Sequence, residues 1–105
     1  MAADDGVRVA DFQKQIHELF GAKDAARGLD ATFLWFAAEV GELAEALRGG
    51  SPAERAGEFA DVLAWLATLA NLAGVDLTSA VRDKYGQGCP RCGRVPCCCS
   101  AAGKP

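Results

Sequence analysis

The feature that most constrains the fold is a short stretch, Gly49 to Glu54, that separates two long segments of helical character. Gly49 and Gly50 are typical of a helix C-terminus. Ser51 fits the N-cap of the next helix, Pro52 suits its first position, and Glu54 can complete a capping box. Because so short a connection makes consecutive helices antiparallel neighbours, the sequence predicts a helical hairpin with its turn at this stretch.

The rest of the chain also carries helical patterns and lacks the sustained alternation of apolar and polar residues that indicates a strand. The apolar stripe of the first segment consists of Phe12, Ile16, Leu19 and Phe20. The predicted helices run from about Val9 to Lys23, from the N-cap Asp30 to Arg48, from the N-cap Ser51 to Leu72, and from the N-cap Asp76 to Tyr85. We predict an all-α fold, an antiparallel bundle of about four helices. Its apolar faces are too wide for one hairpin to bury, so we expect oligomerisation to complete it.

Length and composition narrow the class of function. The 105 residues suit one small domain, predicted over residues 8–86, followed by a cysteine-rich tail over residues 87–105. A net charge of -3 argues against binding to a nucleic-acid backbone, which normally requires a basic surface. The sequence shows neither an apolar run of about 18 residues that could span a membrane nor a signal-peptide pattern. We therefore expect a cytoplasmic protein with no nucleic-acid polymer and no membrane as partner.

Four acidic residues lie inside the apolar runs of the hairpin, as the pairs Glu39 and Glu42 on one helix and Glu58 and Asp61 on the other. Residues three apart share a helix face, and both pairs lie at comparable distances from the turn. We therefore expect the four carboxylates to meet. Left alone they would repel and raise one another's pKa, and a divalent cation such as Mg²⁺ removes that penalty. The alternative is ordinary solvated surface charge.

The two acidic motifs, Glu39-Val40-Gly41-Glu42 and Glu58-Phe59-Ala60-Asp61, carry a resemblance to a known family. The segment resembles the MazG-like all-α nucleotide pyrophosphohydrolases, which include the dimeric dUTPases and the dCTP pyrophosphatases. The stretches EVGELAEAL, EFADVLAWLATLANLAGVDL and AVRDKYG are similar to this family as well. The resemblance extends from about Phe12 to Gly86 and leaves the cysteine tail outside.

The resemblance implies an enzyme that hydrolyses a nucleoside triphosphate to the monophosphate and pyrophosphate, as a housecleaning activity on (d)NTPs. It implies Mg²⁺, with Mn²⁺ as an alternative ion, held by Glu39, Glu42, Glu58 and Asp61. Glu42 is the candidate general base. Relatives form dimers or tetramers, so a homodimer or homotetramer is expected. Two alternatives stay open, namely a phosphoribosyl-ATP-type pyrophosphohydrolase and a non-catalytic helical interaction module whose tail binds zinc.

Four further residues are candidates for substrate binding. His17, in the context His17-Glu18-Leu19-Phe20, resembles a nucleotide-binding histidine of the dCTP-type relatives, although such a residue can simply be half-buried. Lys84 matches a phosphate-contacting lysine of the family, or it interacts only with the end of its own helix. Trp35 and Trp65 could each stack on a base or belong to the core.

All five cysteines lie in the tail, at Cys89, Cys92, Cys97, Cys98 and Cys99. Cysteines so close together cannot staple distant parts of a domain, which is what disulfides in small domains do. A local cluster in a reducing compartment indicates a metal site. Tetrahedral zinc takes four thiolates, and the candidate ligands are Cys89, Cys92, Cys97 and Cys99, with Cys98 left free. The alternative is a disordered tail with reactive thiols.

Overall fold

A computed structural model describes residues 6–100 and 102–104 of the chain. Its four helices are α1 (Val9–Arg27), α2 (Leu29–Gly49), α3 (Pro52–Ala73) and α4 (Leu77–Tyr85). These ranges contain no strand, and the residues after Tyr85 form turns and bends. The predicted all-α bundle of four helices is therefore confirmed.

The hairpin of α2 and α3 forms as the turn chemistry predicts. Ser51 Oγ accepts a hydrogen bond from the Glu54 backbone N–H at 3.1 Å, and Glu54 Oε1 accepts one from the Ser51 N–H at 2.9 Å. This reciprocal capping box satisfies two N–H groups that would otherwise lack a partner. Across the turn, Arg55 Nε donates to the Ala46 carbonyl at 3.0 Å. Farther along, Trp35 of α2 stacks on Trp65 of α3, so positions equidistant from the turn face each other.

The boundary between α1 and α2 differs from the prediction. The first helix ends at Arg27 and not at Lys23. Gly21 lies inside it, because one glycine inside a helix costs only about 1 kcal/mol. The break comes at Gly28, whose φ of 85° is a conformation that other residues rarely adopt. Helix α2 then begins at Leu29, with Gly28 as the single residue between the two helices and as the N-cap of α2. The prediction that Asp30 caps α2 was therefore wrong.

A buried polar network joins the three long helices. The Asp24 side chain of α1 is buried and accepts a hydrogen bond from Thr68 Oγ1 of α3 at 3.0 Å. Arg27 Nη1 lies 3.0 Å from the same carboxylate and donates to Thr32 Oγ1 of α2 at 3.1 Å. Thr32 Oγ1 in turn donates to the Gly28 carbonyl at 2.6 Å. Because each buried polar group has a partner, the network fixes the end of α1 against the hairpin.

Gln13 of α1 holds the connection that leads into α4. Its Nε2 donates to the Val75 carbonyl at 2.7 Å, and its Oε1 accepts from the Leu77 N–H at 2.9 Å. The predicted N-cap of α4 is confirmed, since Asp76 Oδ1 accepts from the Thr78 N–H at 3.0 Å. One glutamine thus sets the position at which α4 leaves the bundle.

The single chain leaves much of its apolar surface uncovered. Leu47 of α2 and Leu66 of α3 are 49% and 40% exposed. Other large exposed apolar residues of α2 and α3 include Phe33, Leu34, Trp35, Phe59 and Leu63. The buried apolar core is correspondingly small and includes Ile16, Ala46, Ala67 and Ala70. Within the described ranges no single helix is long and apolar enough to cross a membrane. Helices α3 and α4, which meet at a bend of 99°, have the length and composition of a membrane span only when they are taken together.

Candidate functional site

Three acidic side chains meet between α2 and α3. Glu39 projects from α2, and Glu58 and Asp61 project from α3, one turn apart. One carboxylate oxygen of each lies within 4.8 Å of the other two. Glu39 and Glu58 are half-buried, whereas Asp61 is exposed. Two facing helices therefore present three carboxylates to a volume the size of one cation.

Glu42 lies beside this group of three but outside it. Its carboxylate is exposed, one turn after Glu39 on the same helix, and it acts electrostatically on both Glu39 and Glu58. The sequence placed all four acids in one metal site, and the structure brings three of them together with the fourth at the rim. Glu42 thus has access to solvent from a position next to the cluster.

The carboxylates of the cluster repel one another. Burial, followed by the hydrogen bond and the charge of Glu42 and by the charges of Asp61 and Glu58, raises the pKa of Glu39 from 4.5 to about 7. Burial and the charges of Glu42 and Asp61 also raise the pKa of Glu58. Crowded carboxylates at the edge of an apolar core disfavour their own ionisation.

Two buried oxygens of the cluster lack a hydrogen-bond partner. They are Glu39 Oε2 and Glu58 Oε2, and with Thr78 Oγ1 they make up the unsatisfied buried side-chain oxygens and nitrogens of the part of the chain that the structure describes. A buried carboxylate oxygen without a partner costs free energy, and a hard divalent cation would satisfy both of these oxygens. The donor set therefore fits Mg²⁺ or Mn²⁺.

Asp61 lies where two hollows meet. On one side an open groove of about 800 Å³ runs toward the turn, lined by acidic side chains together with Arg48. On the other side a smaller hollow of about 270 Å³ is lined by Phe20, Lys23, Trp65 and other residues of α1 and α3. The acidic cluster thus borders a second surface that combines cationic and aromatic side chains.

The smaller hollow is lined by two cationic side chains, those of Lys23 and Arg27, which the sequence pattern did not single out as site residues. Arg27 lies 4.8 Å above the Trp65 ring, and its guanidinium is already bound to Asp24. Lys23 has no ion-pair partner among the residues that the structure describes. With Phe20 these residues follow the spacing i, i+3 and i+7 of one helix face. That signal was in the sequence, but Arg27 joins this helix face only if α1 continues beyond the predicted end at Lys23.

The two tryptophans lie together at the edge of this hollow. Their rings are parallel within 9°, with centroids 6.0 Å apart, and Trp35 is 55% exposed. The tryptophans are therefore partly exposed, and Trp65 lines the same hollow as Asp61. Since Trp65 follows Asp61 by one turn, a flat ligand that reaches the cluster can contact an aromatic face.

His17 and Lys84 do not reach the acids within one chain. His17 is exposed and lines a separate hollow with Gln13, Lys14 and Asn71. Lys84 is exposed on α4, where its Nζ lies 5.7 Å from the centre of the adjacent Tyr85 ring. Neither residue lines either hollow beside Asp61. Their roles in substrate binding stay predictions.

The tail brings together the four cysteines that the sequence selected. The sulfur atoms of Cys89, Cys92, Cys97 and Cys99 all lie within 4.8 Å of one another. Hydrogen bonds from backbone N–H groups, with those of Cys98 and Arg94 the largest contributors, lower the pKa of Cys92 to about 6. Hydrogen bonding to Cys97, together with burial, raises the pKa of Cys99 to about 12. The cluster is separate in sequence and in ligand type from the three carboxylates.

Comparison with known proteins gives one family match. A family model described as a MazG nucleotide pyrophosphohydrolase domain matches residues 27–93, which are 67 of the 105 residues. The matched range contains α2, α3, α4 and the first two cysteines. Comparison with curated protein sequences gives no match.

Proposed function

The chain belongs to the MazG nucleotide pyrophosphohydrolase domain family, and from this premise we propose that it is a Mg²⁺-dependent nucleoside triphosphate pyrophosphohydrolase. The proposed reaction converts a (d)NTP and water to the (d)NMP and pyrophosphate, as housecleaning of the nucleotide pool. The observation that carries this proposal is the convergence of Glu39, Glu58 and Asp61 on one cation-sized volume. Mn²⁺ is the alternative ion, since its ligand preference is similar.

The three converging carboxylates are the proposed ligands of the cation, and Glu42, which lies beside them at the rim, is the proposed fourth. When bound, a divalent cation supplies Lewis acidity toward phosphate oxygens and neutralises charge that would otherwise build up. It would also give the buried oxygens of Glu39 and Glu58 that lack a hydrogen-bond partner a ligand contact. The net negative cluster by itself would repel a triphosphate.

Glu42 is the proposed general base. Its carboxylate is exposed beside the cluster, so water can reach it while Glu39 and Glu58 stay engaged. In the proposed step, water attacks the α-phosphorus and the bond from this phosphorus to the bridging oxygen breaks. Pyrophosphate leaves, and the proton of the attacking water passes to Glu42. A positioned carboxylate of this kind contributes about 10²–10⁴-fold to the rate.

Lys23 and the tryptophans are the proposed contacts for the rest of the substrate. Lys23 borders the same hollow as Asp61, so its ammonium can neutralise a phosphate group that bridges toward the cluster. Arg27 serves mainly to position Trp65, because Asp24 and Thr32 already occupy its guanidinium. The Trp65 face, with Trp35 stacked beside it, is the proposed surface for the base.

The exposed apolar side chains of α2 and α3 support assembly into a homodimer or homotetramer. Leu34 is 70% exposed and Phe59 is 56% exposed, which is costly for a face of this size in water. His17 and Lys84 would contact the nucleotide only if a second chain brings them to the acids. We propose a cytoplasmic location, where nucleoside triphosphates occur, with no nucleic-acid polymer and no membrane as partner.

The test is pyrophosphate release from a panel of dNTPs, NTPs and phosphoribosyl-ATP, with Mg²⁺ and with chelator. We expect turnover of triphosphates only with the cation, and a loss of about 100-fold or more in Asp61→Asn. The matched control is Asp11→Asn, an exposed aspartate in the first turn of α1, which should retain wild-type turnover.

Other outcomes would select the alternatives. Turnover of phosphoribosyl-ATP alone would identify a biosynthetic pyrophosphohydrolase. No turnover of any substrate under any condition would favour a non-catalytic interaction module. Glu42→Gln separates the roles of the acids, because it should lower kcat while the protein still binds Mn²⁺.

A further inference from the structure

We propose that the tail is a zinc-binding knuckle, in which Cys89, Cys92, Cys97 and Cys99 hold one Zn²⁺ as a closed structural site. This site is independent of the proposed hydrolase activity. It would use thiolates, which are soft ligands, whereas the site between α2 and α3 offers only carboxylate oxygens. The chain would therefore carry two metals that do not compete for the same ligands.

The spacing of the sulfur atoms matches a zinc tetrahedron. With a Zn–S bond of about 2.3 Å, the sulfurs of a tetrathiolate site lie about 3.8 Å apart. The Sγ atoms of Cys89 and Cys99 are 3.9 Å apart, and all four lie within 4.8 Å of one another. These distances are far too long for a disulfide, and all five cysteines are free. A small decrease in the longest sulfur–sulfur distances would give the tetrahedral geometry around one ion.

The backbone around the first two ligands forms a tight loop. The Gly93 N–H donates to the Cys89 carbonyl at 2.7 Å, and the Cys89 N–H donates to the Arg94 carbonyl at 3.2 Å. Gly93 has a φ of 72°, which a residue with a side chain rarely adopts, so the turn that follows Cys92 depends on glycine. The loop holds the first pair of sulfurs on one side of the cluster.

Backbone N–H groups also point at the sulfur atoms. The Cys98 N–H donates to Cys92 Sγ at 3.5 Å, and the Cys99 N–H donates to Cys97 Sγ at 3.3 Å. Outer hydrogen bonds of this kind orient the ligands of a metal site and stabilise their negative charge. The bond from Cys98 to Cys92 joins the second half of the tail to the first, and the bond from Cys99 to Cys97 orders the second half itself.

The tail has little else to hold it in one conformation. Its described residues, 87–100 and 102–104, form no helix, and its one branched aliphatic side chain, Val95, is 85% exposed. A segment of this size without an apolar core needs a metal or another cross-link to stay folded. The binding free energy of zinc would therefore be folding free energy for residues 89–99.

Cys98 is the cysteine left out of the site. Its thiol is exposed and does not belong to the group of four sulfurs, although its N–H contacts Cys92. This asymmetry gives a measurable consequence. Zinc protects four thiols from reaction and leaves one accessible, so the number of fast-reacting thiols reports the site without any assay of activity.

The experiment measures metal content and thiol reactivity on the full chain, expressed with zinc and purified without chelator. We expect one zinc per chain and one fast-reacting thiol with a disulfide reagent, rising to five with chelator and denaturant. Cys98→Ser should retain zinc and lose the fast-reacting thiol, whereas Cys92→Ser should lose most of the zinc. Far-UV circular dichroism of both variants checks that the four helices remain.

Three results would overturn the proposal. Wild-type protein with no stoichiometric metal and five equally reactive thiols would show that the tail is not a metal site. Stoichiometric iron in place of zinc would refute the assigned metal. Equal loss of zinc in Cys98→Ser and Cys92→Ser would refute the assigned ligands.

Discussion

Replacing Glu39 by glutamine is expected to stabilise the metal-free protein at neutral pH, which is the opposite of what most substitutions of half-buried residues do. Burial and three neighbouring carboxylates raise the pKa of Glu39 from 4.5 to about 7. The folded protein therefore binds this proton more tightly than the unfolded chain. Below pH 4.5 the group is protonated in both states, and its contribution to stability is lost as the pH rises to about 7.

The magnitude follows from the same two values. At 1.36 kcal/mol per pH unit, the difference between 4.5 and about 7 corresponds to about 3 kcal/mol. Because Glu39 is only half-buried, solvent screening lowers this figure, and we expect about 1–2 kcal/mol. Glutamine has nearly the same shape as protonated glutamate and carries no charge. The stability gained by Glu39→Gln should thus be near zero below pH 4.5 and reach its full size above pH 7.

The assay is urea denaturation followed by circular dichroism across this pH range, with chelator present and at one protein concentration. The matched control is Glu45→Gln on the same helix, whose side chain is 79% exposed and makes only a 3.9 Å ion pair with Arg48. Its effect should stay within about 0.5 kcal/mol at every pH. Added Mg²⁺ should then stabilise the wild type and not Glu39→Gln. Destabilisation of Glu39→Gln above pH 7, or an effect independent of pH, would refute the reasoning.

Three further substitutions test the fold and the smaller hollow. Ser51→Ala removes the acceptor of the capping box and should cost about 1 kcal/mol in urea denaturation, and an unchanged midpoint would contradict the cap. Thr68→Val leaves the buried Asp24 carboxylate without its 3.0 Å donor and should cost about 1–3 kcal/mol by the same assay, whereas a neutral effect would show that the bond contributes nothing. Lys23→Ala should raise KM for triphosphates several-fold with kcat less affected, while Lys14→Ala, on the part of α1 that faces another hollow, should change neither. Equal kinetics in the two lysine variants would remove Lys23 from the substrate contacts.

Much of the fold can be predicted from the sequence because the residues that form its turns and helix caps lie close together in the chain. Ser51, Pro52 and Glu54 satisfy a cap within four residues, and no distant contact is needed to read them. Gly21 and Gly28 look alike in the sequence, yet only Gly28 ends a helix. Packing of α1 on the hairpin, including the buried bond of Asp24 to Thr68, outweighs the propensity of a single glycine.

The acidic cluster can be predicted from the sequence in part for a similar reason. Helical spacing fixes the height and the face of Glu39, Glu58 and Asp61, so their convergence follows from the hairpin. Helical spacing does not determine the conformation of each side chain, and the Glu42 carboxylate lies at the rim of the cluster, outside the group of three. Lys23 comes from a third element, α1, and helical spacing within the hairpin does not say how α1 packs beside Asp61.

The width of the apolar faces led us to expect that one chain leaves part of them uncovered, but periodicity alone does not say which residues lie on the uncovered part. Leu47 and Leu66 repeat at core spacing, but a helix pattern does not say whether the same chain or a second copy covers the face. The tail is the converse case. The grouping of its cysteines depends on a few short-range backbone contacts, so local spacing was enough to select four of the five sulfurs.

The most direct test of the central claim, that Glu39, Glu58 and Asp61 form a site for a divalent cation, is a Mn²⁺ titration followed by electron paramagnetic resonance of the free ion. Wild-type protein and Asp11→Asn should bind Mn²⁺ with equal, saturable affinity, and Asp61→Asn should bind it at least about tenfold more weakly. Mg²⁺ should displace the bound Mn²⁺. Undiminished binding by Asp61→Asn would contradict the account, because the carboxylates that the two helices bring together would then not be what holds the ion.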